Sequence, residues 1–301
     1  MMEKDEAVST VIAMMLILGI IATLLAIYSA TYLPGLKQQS EIEHSREVAN
    51  AFVRFDSDIY YVISHKKPAR FSEPFSLGGG DILLSPVRSS GLVTIEERPL
   101  VNVTVTNTTD ETMTGNVSLA NVSYVPSFTS WEPQGYLWEY GFVAVKKDNV
   151  TVPQSSRYNT MDEALEDRGA GFLRSLIKLV EVDPPDGNPE VIITVVNLTT
   201  SKEGRSFITG SGIATLGVNA TASESYLKNV DKIVLENCTA SYDNVSEMMG
   251  EILEGECNEV KGKVPNSRDY KYDQLSHTHT LTFNLPVTVT LRTVNVEVSV
   301  W

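Results

Sequence analysis

The sequence predicts an α+β protein, a long N-terminal hydrophobic helix followed by a large β-rich, sandwich-like head. Three observations carry that reading. Thirty consecutive residues, Ala7 to Leu36, hold no charge. Behind them Val48, Phe52, Phe55, Ile59 and Val62 recur at steps of four, three, four and three, which is one face of a helix. The remaining chain is rich in short alternating stretches of β-branched and aromatic residues, the pattern of half-buried strands.

The first element is the apolar run. Roughly 20 residues at 1.5 Å each cross a ~30 Å hydrocarbon core. A secretory signal core is only about 7–15 residues long, with a basic flank. This run is longer, and its flank, Glu3-Lys4-Asp5-Glu6, is mixed in charge. The segment is therefore expected to stay with the protein. Pro34-Gly35 is expected to kink or end the helix, because Pro lacks the N–H that an interior turn needs. The amphipathic pattern then resumes, with Glu43, Arg46, Glu47, Arg54, Asp56 and Asp58 expected on its outer sides, and stops at His65-Lys66-Lys67-Pro68. An unbroken helix from Val8 to Ile63 would be about 84 Å long.

Leu77-Gly78-Gly79-Gly80-Asp81 reads as a turn and lacks the Lys-Ser/Thr pair of a phosphate loop. Strands are expected over 101–105, 136–145 and 191–198, and part of 162–180 as helix. Asp183-Pro184-Pro185-Asp186-Gly187-Asn188-Pro189 is a loop by composition. At the C-terminus Leu281, Phe283, Leu285, Val287, Val289 and Leu291 are apolar at odd positions, then Val294, Val296, Val298 and Val300 at even ones. A one-residue slip turns an apolar face outward, so a bulge or break is expected at Arg292–Thr293.

The leader carries a resemblance. Asp5-Glu6-Ala7-Val8-Ser9-Thr10-Val11-Ile12 resembles the start of archaeal type IV pilin-like proteins. Those have a short charged leader, a small residue at the cut, a motif like V-S-P-V-I-G and a long apolar helix. Thr10 stands where Pro is common, and Ala13 where Gly is common. The likeness covers about the first 35 residues, with a weaker similarity through Glu43-His44-Ser45-Arg46-Glu47-Val48 and the β-rich remainder. It implies cleavage by a prepilin peptidase between Ala7 and Val8, and assembly with copies of itself and other pilins into a surface filament with an adhesive role. On that reading the chain divides into a leader (1–7), a transmembrane or filament-core helix (8–33), an amphipathic stalk (34–63) and an extracellular head (64–301). The head would be one unit, or two dividing near 183–189. The apolar run alone equally allows an uncleaved, non-polymerising membrane anchor whose head binds a surface ligand.

Composition narrows the partners. Lys+Arg number 24 against 38 Asp+Glu, a net charge of −14, with no clustered basic patch, so no nucleic acid is expected. Nine Asn-x-Ser/Thr sequons lie downstream of the helix: Asn102, Asn107, Asn116, Asn121, Asn149, Asn197, Asn219, Asn237 and Asn244. They point to a glycoprotein head outside the membrane, or to Asn, Ser and Thr filling turns and outer strand faces. Cys238 and Cys257 are most simply a disulfide in an extracellular protein, or else two thiols. His277 and His279 are spaced to face one way from a strand, and a surface pair is expected rather than a metal site, since no third ligand is marked. No cofactor and no catalytic residues are expected, because no nucleophile, zinc-protease or Ca²⁺-loop motif occurs.

Overall fold

In this computed structural model residues 3–79, 82, 88–182, 189–239, 243–263 and 268–301 are described, with the backbone alone at 3–9, 243, 262, 263, 268 and 286. The chain opens with one helical rod: α1 (Glu3–Ile27), a π turn (Tyr28–Tyr32) and α2 (Leu33–His65). Pro34 does not end the rod. The π turn just before it closes an i→i+5 bond, Leu33 N–H to Tyr28 C=O, so the missing proline donor is absorbed by a wider turn. The rod stops where basic residues and Pro68 were expected to stop it. Lys66 takes the left-handed conformation (φ 52°) and its N–H caps Val62 O at 2.8 Å.

The head contains β1 (Ala69–Ser76), β2 (Ser90–Asn107), β3 (Thr112–Ser127), β4 (Gln134–Glu139), β5 (Phe142–Lys147) and β6 (Val150–Pro153). A helical passage follows, α3 (Met161–Ala164), a second π turn and α4 (Ala170–Leu176). Then come β7 (Ile177–Val182), β8 (Glu190–Thr200), β9 (Phe207–Gly210), β10 (Ile213–Asn237), α5 (Asp243–Lys263), β11 (Arg268–Asp273) and β12 (Thr278–Val300). The strands form one 12-stranded sheet whose main path is β6-β5-β4-β3-β2-β10-β12-β8-β7. Every described pairing between these strands is antiparallel except β12 with β8.

The sheet curls until its arms meet. β3 packs face to face on β8, and Gly115 of β3 leaves so little room that a Cβ there would lie 3.1 Å from the Leu291 side chain. Between β4 and β5, Tyr140 and Gly141 both have positive φ (50° and 76°), the hairpin turn whose twist matches its strands. Gly141 is also where the ring of Phe172 from α4 presses against the backbone.

The segment 183–188 lies outside the described residues, as do Gly80 and Asp81; β7 and β8 on either side of it are antiparallel neighbours in the same sheet. Two expectations need correcting. No bulge occurs at Arg292–Thr293: Leu291↔Ser225 through Val294↔Ala222 pair in unbroken register. The strand keeps its phase and the covering layer changes sides instead. Two irregularities lie earlier, one between Leu227↔Val289 and Val230↔Val287 and one between Val230↔Val287 and Lys232↔Thr282, the latter opposite the stretch ending at Pro286, which has no N–H to give the ladder. There Leu285 is 65% exposed. The second is α5, a 21-residue helix in a stretch read as part of the β region.

Candidate functional site

The rod behaves as two halves. From Val11 to Ile27 the large apolar side chains are 46–68% exposed, and among the described residues this is the one helix long and apolar enough to cross a membrane. Thr23 and Thr31 return their hydroxyls to Gly19 O (2.7 Å) and Ile27 O (2.6 Å), so neither presents an unpaired donor to an apolar surround. From Glu41 onward the same rod lies on the head, outside the apolar segment.

Hydrophobic packing sets that joint. Val48, Phe52, Phe55, Ile59 and Val62, the predicted stripe, are each 0% exposed. Phe55 meets Trp138 edge-to-face at 5.3 Å, Trp138 meets Phe172 at 5.8 Å, and Phe52 meets Tyr136 at 6.0 Å. Polar groups then fix its register. Glu41 is 1% exposed, and its carboxylate accepts from Thr129 N (2.7 Å), Thr129 Oγ1 (3.0 Å) and Ser130 N (2.9 Å). Ser45 Oγ bonds Tyr136 OH at 3.0 Å. Asp56 accepts from Trp138 Nε1 at 2.8 Å and pairs with Arg168, whose guanidinium lies over the Tyr60 ring. Burial pushes the Asp56 carboxyl up, while Trp138 and Arg168 pull it back down.

His44 Nε2 lies 2.8 Å from Tyr124 OH, and that hydroxyl donates to Leu77 O at 3.0 Å. The imidazole, the phenol and the Leu77 carbonyl thus form one buried hydrogen-bonded chain. Nδ1 is buried without a hydrogen bond, 4.0 Å from Glu47. Burial holds the imidazole below its usual range, with Glu47 acting the other way.

Asp56 was expected on an outer side of the helix and is instead 6% exposed. A carboxylate four residues past Phe52 faces inward, and only the head supplies the Trp138 and Arg168 that satisfy it. Glu41, Ser45, Tyr124, Tyr136 and Arg168 carried no signal in the sequence, because their partners are 80 or more residues away in most of these bonds.

The other expected sites separate. Only the backbone is described at Ala7 and Val8. Asn116, Asn149, Asn219 and Asn244 are exposed, Asn102 and Asn197 half-buried, and Asn107, Asn121 and Asn237 buried. Asn107 and Asn237 spend their side chains on turns: Asn107 Oδ1 accepts from Thr109 N and Glu111 N, and Asn237 Oδ1 from Thr239 N while Nδ2 donates to Ser246 O. Cys238 and Cys257 are free thiols, not the expected disulfide. Cys257 faces the core from α5 and burial pushes its thiol up to about 12, while Cys238 Sγ turns to Glu236 O. His279 is not a surface residue. It is 2% exposed, bonded through Nδ1 to Tyr270 OH at 2.8 Å, while His277 sits in the turn before the strand. Among the described residues no cluster of three His, Cys, Asp or Glu is placed to hold a metal ion.

These features define a class: a β-rich head carried on one helical rod whose N-terminal half fits membrane association. Compared with family models, curated proteins and solved structures, the chain matches none.

Proposed function

We propose that this protein is a structural subunit of a surface filament resembling the archaeal type IV pilus, with the head displayed outside the cell as an adhesive, glycosylated surface. The observation that supports this best is the rod itself. Its apolar half is left uncovered by its own head, while its amphipathic half is locked to that head without a break in the helix. A flexible linker would serve an anchor equally well; a continuous rod transmits the packing of one end to the orientation of the other. Removal of the leader between Ala7 and Val8 by a prepilin peptidase would free the rod to leave the bilayer and pack with its copies. Gly19, Ala22 and Ala26 allow close helix–helix approach.

Ala22→Arg tests the reading. Filaments sheared from cells are expected to contain the wild-type chain, starting at Val8, and to be lost in the variant. A chain that is never recovered in filaments and always partitions with membranes as a monomer overturns it, in favour of the non-polymerising anchor. Glycan is expected at Asn116, Asn149, Asn219 and Asn244, with buried Asn107, Asn121 and Asn237 unmodified. Unmodified peptides at all nine sequons would remove the glycoprotein part of the proposal.

A further inference from the structure

We propose that the head makes an electrostatic contact with a second copy of this chain: the basic cleft at the end of α2 receives the acidic face of α5 from its neighbour. This rests on the filament reading and names the contact that would orient the heads within it.

The cleft has a volume of about 410 Å³, and His65, Lys66, Lys67 and Arg292 converge on it with Thr194 and Ser223. Arg292 has a partner at its rim, Glu224 at 3.3 Å, and both are exposed. Lys66 and Lys67 make no ion pair among the described residues. In a chain of net charge −14, a cleft where Glu224 answers Arg292 while Lys66 and Lys67 carry no ion pair among the described residues keeps a cationic excess that attracts an acidic partner.

The chain carries such a surface. Glu247, Glu251 and Glu254 are exposed on α5, and at about 100° per residue they fall within about 60° of one another. They line a groove with Tyr272, His277 and His279. His279 is 2% exposed, and its Nε2 has no hydrogen-bond partner. Glu256 lies about 180° away from Glu247 around the helix. That opposite side is the one turned toward the chain's own cations, with Glu256 bonded to Lys178 at 3.1 Å and acting on Lys66. The outer glutamates therefore point away from their own cleft, and only a different copy brings the two together. Two unlike patches meeting in this way make a heterologous contact, which propagates as an open array where rotation does not close it.

The test uses the full chain, both in assembled material and solubilised in detergent, so that a failure to form filaments still leaves the contact readable. Copies labelled with ¹⁵N are mixed with unlabelled ones and treated with a zero-length carbodiimide cross-linker. Cross-links from Lys66 or Lys67 to Glu247, Glu251 or Glu254 are expected between labelled and unlabelled copies. The double variant Lys66→Asn, Lys67→Glu is expected to lower their yield at least tenfold, Asn being tolerant of the left-handed position. Mixing that variant with Glu251→Lys, Glu254→Lys copies is expected to restore inter-copy linkage. Links confined to single copies, or a yield unchanged in the double variant, overturn the contact. Protection of the lysines by polygalacturonate with no inter-copy links would assign the cleft to an acidic polysaccharide instead. Filaments that form without these links would sink the contact alone and leave the filament reading standing.

Discussion

The two halves of the rod are the same secondary structure under opposite instructions. Between Val11 and Ile27 the large apolar residues surround the helix and none is buried by the chain. Between Glu41 and Ile63 five of them, Val48, Phe52, Phe55, Ile59 and Val62, form a fully covered stripe, while Val53 and Tyr61 stay on the outer side. A helix apolar all round needs an apolar environment and accepts any; a striped helix needs one particular surface. The first half is thus specified by hydrophobicity alone, and the second by shape and by four polar residues, Glu41, His44, Ser45 and Asp56, each matched to the head.

The comparison can be broken at either end. Ala22→Arg places a charge where insertion costs about 2.5–3.5 kcal/mol at a helix centre. It is expected to abolish assembly while the thermal unfolding of the head stays within about 1 °C of wild type, since no head contact is touched. Phe55→Ala should do the reverse. It removes a fully buried ring from the Trp138 contact at a cost of about 3–5 kcal/mol. That corresponds to a fall in Tm of roughly 2–4 °C per kcal/mol for a domain of this size, read by calorimetry. Equal Tm values for the two variants would mean that the halves are not independent.

A smaller effect is expected from Glu41→Ala, which removes the buried carboxylate to which Thr129 N and Ser130 N donate in half-buried hydrogen bonds, at about 0.5–1.5 kcal/mol per bond. It should raise hydrogen exchange at Thr129 and Ser130 before it alters exchange in β12. Uniform acceleration across the head would count against a local role for Glu41.

The smallest effect is a pH dependence at His44. Its pKa in the fold lies below the ordinary 6.5, so its contribution is complete above that value and is lost as pH falls through the folded pKa. Asp58 acts in the opposite sense: burial and Glu73 raise it to about 6, so its contribution is lost as pH rises through that value. Asp56, also raised, has the same sign as Asp58. Wild type minus His44→Gln isolates the histidine, and the difference in denaturant midpoint is expected to shrink as pH falls from 7 to 5. A difference independent of pH would mean that His44 is not titrating in the joint.

Much of this arrangement was legible beforehand. The apolar run, the stripe at Val48 to Val62 and the cap at Lys66 follow from local periodicity and from residues whose preferences act within one or two turns. α5 was not read, although Val245, Met249, Ile252, Leu253, Cys257 and Val260 repeat at helical steps, because Gly250 and Gly255 interrupt the pattern. The inward turn of Asp56 and the burial of His279 were not legible, because a polar residue is buried only where distant groups satisfy it.

The sequence by itself determined the N-terminal rod and several of the strands, that one segment is too apolar for water, and which face of α2 must be covered. Those are properties of short windows, set by residue spacing and transfer free energy. The tertiary structure alone decided that the sheet is single and curls onto itself, that β12 changes its buried side without a bulge, and that the cysteines stay apart. It also decided which sequons remain in water, and that basic and acidic patches face different ways. Each of these depends on residues far apart in the chain meeting at hydrogen-bonding or van der Waals distance, and no local pattern encodes a meeting of that kind.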